Sequence, residues 1–198
     1  GYTTAYPGPQ PGPACPGRGG NIKGNIILCG FMGCGKSSVG RRAAVLCGRE
    51  LCDLDRYIEE KAGMTVSEIF ARYGEEGFRR LERQAVREVA GTPGLIIASG
   101  GGTVLSGDNV EAFHNERGLI VLLDAPLAAL QERLKNDKRR PLLQVPDRRR
   151  VINELYERRI PLYRAAADVA VDAGAPPLTV ARRVAKLEKS LDNPSDMR

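Results

Sequence analysis

Residues 30–38 read GFMGCGKSS, directly after the apolar run NIILC at residues 25–29. A glycine-rich turn that leaves a strand and opens a helix presents backbone N–H groups that have no intrachain partner. The helix dipole adds positive potential at the same place, so such ends bind anions, phosphates above all. Gly30, Gly35, Lys36 and Ser37 satisfy the pattern G-x-x-x-x-G-K-[ST]. In that loop the lysine neutralises the outer nucleotide phosphates and the hydroxyl ligates Mg²⁺. At average residue frequencies a chance match in a chain this long has odds of about one per cent. The flanks agree, with Ile26, Ile27 and Leu28 before the loop and Val39, Ala43 and Leu46 at helical spacing after it. Gly33, Gly35, Lys36, Ser37 and Ser38 are the expected ATP-phosphate contacts.

The surrounding composition suits one soluble enzyme domain. At 198 residues and 42% hydrophobic the chain can bury one good core. No apolar run approaches the ~20 residues of a membrane span, and the polar, proline-rich start lacks the pattern of a secretory signal, so a cytoplasmic protein is expected. Residues 1–24 are dense in Gly and Pro and read as a flexible tail, with residues 193–198 as a shorter one. Cys29, Cys34, Cys47 and Cys52 form two C-x₄-C pairs. Zinc spacings are usually tighter and two of these thiols fall in the strand and phosphate loop, so reduced thiols are the expectation. The net charge is +6, and the run KRRPLLQVPDRRR at residues 138–150 is basic, but aromatics make up 5% and none interleaves with it. Phosphate contacts and a solvated helix face fit this run better than nucleic acid.

Apolar runs at 25–29, 50–54, 95–99, 119–123 and 168–172 alternate with helical patterns, among them 36–47 and a closing helix at 178–191. That alternation predicts an α/β fold, a parallel sheet covered on both faces. Residues 55–90 run helix after helix. Thr65 and Glu68 fit a capping box, Gly74 punctuates, and Phe78, Leu81, Ala85 and Val89 share one side. An insertion after the second strand lies near the carboxyl ends of the sheet, where a second substrate would bind.

Five groups of residues carry chemistry. In LCDLD, Asp53 and Asp55 are read as two positions of one strand pointing to one side, one to hold Mg²⁺ and the other to orient a hydroxyl and take its proton. In EGFRRLE, Arg79 and Glu82 are three apart on a helix, either a surface ion pair or an arginine held as a planar fork for a carboxylate. The glycines of IIASGGG, Gly100, Gly101 and Gly102, suggest close approach of a ligand or another backbone. Arg133, Lys135, Lys138, Arg139 and Arg140 precede PLL in a segment suited to a mobile lid, ahead of a helix that starts near Asp147. In ERRIPLY, Arg159 precedes Pro161, read as interrupting a helix, with Tyr163 able to pack beneath. The one histidine, His114, has no partner implied by sequence and receives no role.

In order and spacing, GFMGCGKSS, DLD, EIF followed by EGFRRLE, SGGG, RRPLL and RRIPLY resemble the shikimate kinase family over residues 25–190. The resemblance implies a three-layer α/β/α P-loop kinase domain over 25–192 with a five-stranded parallel sheet, substrate-binding helices at 55–90 and a lid at 133–147. It implies transfer of the γ-phosphoryl of ATP to the 3-hydroxyl of shikimate, in the pathway to aromatic amino acids. Lys36 and Ser37 would then serve the phosphates and Mg²⁺, with Asp53 in the metal's water shell. Asp55 would hold the ring hydroxyls and act as base. Arg79 and Arg159 would clamp the shikimate carboxylate, with Gly100, Gly101, Gly102, Phe70 and Phe78 lining the pocket. Arg140 would be the catalytic lid arginine reaching ATP and substrate, and Arg133 a further phosphate or adenine contact. The loop DAGAPP, with Pro176 and Pro177, would lie near adenine, and is shorter than in some members. ATP and shikimate are the implied partners of a monomer that binds neither nucleic acid nor membrane. Another small P-loop kinase, for gluconate or a nucleoside monophosphate, and a P-loop ATPase module that grips RNA or protein are the alternatives, the first disfavoured by EGFRRLE with RRIPLY.

Overall fold

The computed structural model describes residues 24–191. The expected tails at 1–24, apart from Gly24, and at 193–198 lie outside the described residues. The central strand β1 (Ile26–Cys29) is fully buried along its length, as expected of a parallel strand covered on both faces. β2 (Glu50–Asp53), β3 (Leu95–Ala98), β4 (Leu119–Asp124) and β5 (Val169–Asp172) complete one sheet in the order β2-β3-β1-β4-β5, parallel throughout. All five strands fall within a residue or two of the expected runs. The chain leaves β1 toward one edge and returns to its other side as β4, so the carboxyl end of β1 faces a crevice where the connections diverge.

The helices α1 (Lys36–Cys47), α2 (Leu54–Ala62), α3 (Val66–Ala90), α4 (Gly107–Asn115), α5 (Leu127–Leu134), α6 (Arg148–Ala166) and α7 (Pro177–Leu191) cover the sheet. α1 begins after Gly35, whose φ of 99° is left-handed backbone that glycine adopts without steric cost. Its buried face is Val39, Gly40, Ala43 and Ala44; the expected Leu46 is instead about half exposed. α1 packs against α7 and lies close on the sheet at Gly40, where a Cβ would stand 2.9 Å from the Leu51 side chain. Thr65 and Glu68 form the expected reciprocal capping box at the start of α3. Gly74, with φ 69° and ψ −178°, kinks α3 where the sequence punctuates. Asn25 ties the sheet to α3, since its side-chain amide donates to Val89 O and Thr92 O while its Oδ1 accepts from Leu95 N.

Two local expectations change. Pro161 lies inside α6 rather than interrupting it. Pro161 and Glu157, one turn before it, are both exposed, so the Glu157 carbonyl that loses its helical N–H partner faces water. β2 ends at Asp53, and Asp55 stands in the first turn of α2. The Asp53 side chain accepts from Arg56 N and caps that helix, so the chain turns one residue earlier than alternation implied.

Candidate active site

Sheet register brings the functional segments to one level. Asp53 is aligned with Ala98, and Ala98 with Leu28, so the chain leaves β2, β3 and β1 side by side. Gly30 opens the phosphate loop where a Cβ would stand 2.9 Å from Leu123 O, which explains the glycine. Lys36 lies across this loop, its Nζ donating to Gly30 O at 2.7 Å. The loop and the first turn of α1 thus hold a cation beside the outward N–H groups, a cradle for phosphate oxygens. Ser38 Oγ accepts from Arg42 Nη1 at 2.9 Å.

Ser37 Oγ donates to Asp53 Oδ2 at 3.1 Å, although the two residues are 16 apart in sequence. A hydroxyl and a carboxylate beside a phosphate cradle are the hard oxygen donors that fit Mg²⁺, a cation that keeps several waters and takes one or two protein ligands. Among the described residues no group of three or more His, Cys, Asp or Glu side chains could hold a metal ion. The buried thiols of Cys29 and Cys52 are pushed up to about 12, mainly by desolvation. They are therefore neutral and poorly nucleophilic.

Each of the three consecutive glycines faces a different charged side chain. A Cβ on Gly100 would come 2.8 Å from Asp55 Oδ1, one on Gly101 would stand 3.5 Å from Arg159 Nη1, and one on Gly102 would overlap the Arg79 guanidinium. Glycine here lets one acid and two arginines crowd around a single turn of backbone. Asp55 Oδ1 is buried without a hydrogen-bond partner among protein atoms. Burial raises the Asp55 carboxyl to about 6; Asp53 and Glu82 add to the rise and Lys36 opposes it. A buried acid with one unpartnered oxygen and a carboxyl raised to about 6 is suited to accept a proton.

Arg79 is held from below by Glu82, Nη1 to Oε1 at 2.8 Å, with Glu75 at 3.7 Å on its outer side. Its guanidinium lies 5.3 Å from the Phe78 ring centre, and Phe78 stacks on Phe70 at 4.7 Å. The sequence left open whether Arg79 and Glu82 were a surface pair. Glu82 is 1% exposed, so the pair is anchored in the interior. Arg159 sits over the glycine turn from α6, and the buried Tyr163 beneath it donates its hydroxyl to Gly101 O. Desolvation pushes the Tyr163 phenol up, with Lys36 and Arg159 opposing, so it stays protonated as a donor.

Arg133 and Arg140 stand apart from this cluster. Arg133, in the last turn of α5, donates to Gly33 O at 3.1 Å and to Ala173 O at 2.8 Å, bridging the phosphate loop to the loop before Pro176 and Pro177. Arg140 is paired with Asp137 inside the 133–147 segment, and Asp137 Oδ1 also accepts from Arg139 N and Arg140 N at 2.9 Å. These contacts, the Arg140 backbone bond first, hold the Asp137 carboxyl below its ordinary value. Arg148 donates to Leu143 O, Leu134 O and Lys135 O and so joins the two ends of this segment.

Sequence reading missed one supporting group and one ion pair elsewhere. Thr103, fully buried, connects Glu82 to Gly100. A usable signal was present: Glu82 is a carboxylate on the same helical face as Phe78 and Ala85, where a charge needs partners. His114 has a partner after all, with Nε2 3.0 Å from Asp168 at the start of β5, away from the glycine turn. The residues are 54 apart, which no spacing rule would connect.

Comparison with known proteins shows the family. The family described as shikimate kinase matches residues 32–188. A shikimate kinase from Aromatoleum aromaticum is 45% identical over 149 residues, spanning 75% of this chain and 85% of that protein. The structure of shikimate kinase from Acinetobacter baumannii in complex with shikimate superposes with a TM-score of 0.76 at 38% identity, covering 85% of this chain and 94% of that one. A gluconokinase from Sinorhizobium meliloti shares only the fold, at 18% identity and a TM-score of 0.56, covering 86% of this chain and 94% of its own. With the family matched over residues 32–188 and a curated relative 45% identical over three quarters of it, the chain belongs to the shikimate kinase family.

Proposed function

We propose that this chain transfers the γ-phosphoryl group of ATP to the 3-hydroxyl of shikimate, with Asp55, Arg79 and Arg159 acting on shikimate and the 30–38 loop acting on ATP. The observation that carries the assignment is the glycine turn, where Gly100, Gly101 and Gly102 each meet one of those three side chains. Two guanidiniums beside one acid match a ligand with a carboxylate at one end and hydroxyls at the other. Phe70 and Phe78 supply an apolar wall for the ring between them.

Gly33, Gly35, Lys36, Ser37 and Ser38 would hold the phosphates. Arg133 would stand at the base side of the nucleotide, near Pro176 and Pro177. Ser37 would ligate Mg²⁺, with Asp53 reaching it through its water shell. When bound, Mg²⁺ neutralises phosphate charge. Asp55 orients the 3-hydroxyl and accepts its proton as that oxygen bonds to the γ-phosphorus and the bond to the β-phosphate oxygen breaks. The products are shikimate 3-phosphate and ADP. Lys36 counters charge on the departing phosphates, and positioning with charge stabilisation supplies most of the acceleration in such transfers. Arg140 serves from the lid, 133–147: exchanging Asp137 for phosphate oxygens would couple lid closure to exclusion of water, a competing acceptor.

A monomer in the cytoplasm, with ATP and shikimate as its partners, completes the proposal. Among the described residues no helix is long and apolar enough to cross a membrane. Replacing Asp55 with Asn tests the assignment. Turnover with shikimate should fall by ~10²–10⁴ with ATP affinity similar, and unchanged turnover would remove Asp55 from the site.

A further inference from the structure

We infer that Thr103 is a positioning residue whose single hydroxyl fixes the carboxylate clamp relative to the acid that receives the substrate proton. The inference rests on the shikimate reading above. Gly100 N donates to Thr103 Oγ1 at 2.9 Å. A backbone N–H can only donate, so the hydroxyl accepts there and its one proton is directed to Glu82 Oε2, at 3.0 Å. The other oxygen of Glu82 holds Arg79. On its Cβ side Gly100 faces both groups, since a Cβ there would stand 2.8 Å from Asp55 Oδ1 and 3.2 Å from Thr103 Oγ1. One hydroxyl therefore holds Arg79 through Glu82 and also fixes the Gly100 backbone against which Asp55 packs.

Thr103 has little freedom to do otherwise. It is 0% exposed and Glu82 1%, so water does not replace the bond. Its carbonyl accepts from the side chain of the buried Asn109 at 2.9 Å, and its branched Cβ restricts χ1. Removing the hydroxyl leaves a carboxylate oxygen and an N–H unpaired in the interior, and both relax by moving. The clamp and the acid then lose their fixed separation. Thr103 itself touches neither reactant, and its effect is confined to the acceptor side.

The test is steady-state kinetics of the full chain with shikimate and ATP for wild type, Thr103→Val, which keeps the shape without the hydroxyl, and Thr103→Ser, which keeps the hydroxyl. Thr103→Val should raise the shikimate KM about tenfold or more and lower kcat, with the ATP KM nearly unchanged. Thr103→Ser should restore the shikimate KM. Thr103→Ala carries the same expectation as Val and serves if the Val protein is insoluble. A wild-type shikimate KM in the hydroxyl-free variants, a parallel rise for both substrates, or a Ser variant as impaired as Val would overturn the inference while leaving shikimate phosphorylation intact. A wild-type enzyme that does not turn over shikimate would overturn the functional reading, and this inference with it.

Discussion

Replacing Asp55 with Asn should stabilise the protein as it disables it, and the gain should depend on pH. The folded-state pKa of Asp55 is about 6, against an ordinary value of 3.8. That displacement of roughly two units corresponds to about 3 kcal/mol at most, since one unit is about 1.4 kcal/mol. The sign follows from proton counting. Between 3.8 and about 6 the folded chain holds more protons at this site than the unfolded one, so stability falls as pH rises through that window. Above the window the full cost of burying the charge is present, and below it the cost vanishes. Asn keeps the shape without the charge and should recover about 1–3 kcal/mol at pH near 7.5. For a chain of this size that is a rise in Tm of about 2–4 °C per kcal/mol. Urea unfolding of both proteins at a pH above 7 and again near 4 reads the effect directly. A variant no more stable than wild type above pH 7, or one with the same gain at both values, would refute the claim that Asp55 is held in an environment hostile to its charge.

The same acid should appear in the kinetics, with kcat/KM for shikimate rising as pH passes through about 6 and the acidic limb disappearing in Asp55→Asn; a limb that persists belongs to another group. Arg79→Ala should raise the KM for shikimate far more than that for ATP, and equal changes would contradict the carboxylate clamp. Gly102→Ala should reproduce much of that effect without removing a charge, because its Cβ would displace the Arg79 guanidinium, whereas Gly101→Ala has ordinary contact distance to Arg159 and should be milder. Shikimate KM values for the two alanine variants, measured side by side, check that order.

The phosphate loop, the five strands and the capping box were legible in the sequence because each is set by residues a few positions apart. A loop between a buried strand and a helix carries its geometry in its glycines, and a box of Thr65 and Glu68 needs nothing distant. Asp53 and Asp55 were legible as chemistry but not as geometry. Strand alternation would have put both side chains on one side, and the Asp53 cap instead started a helix between them. Pro161 was misread for a related reason, since an exposed helical face tolerates the carbonyl a proline leaves unpaired. What local pattern could not supply was the matching of Gly100, Gly101 and Gly102 to Asp55, Arg159 and Arg79, which depends on α2, α3 and α6 arriving at one turn. The resting place of Arg140 was equally hidden, because Asp137 lies in the same charged run and competes for it.

The most direct measurement is coupled ADP release with ATP and Mg²⁺ against shikimate, quinate, gluconate and nucleoside monophosphates, with a control lacking any acceptor. Acceptor-dependent turnover with shikimate, and none without an acceptor, is the predicted result. Turnover with a different acceptor, or ADP release at the same rate without one, would contradict the assignment of Asp55, Arg79 and Arg159 to shikimate.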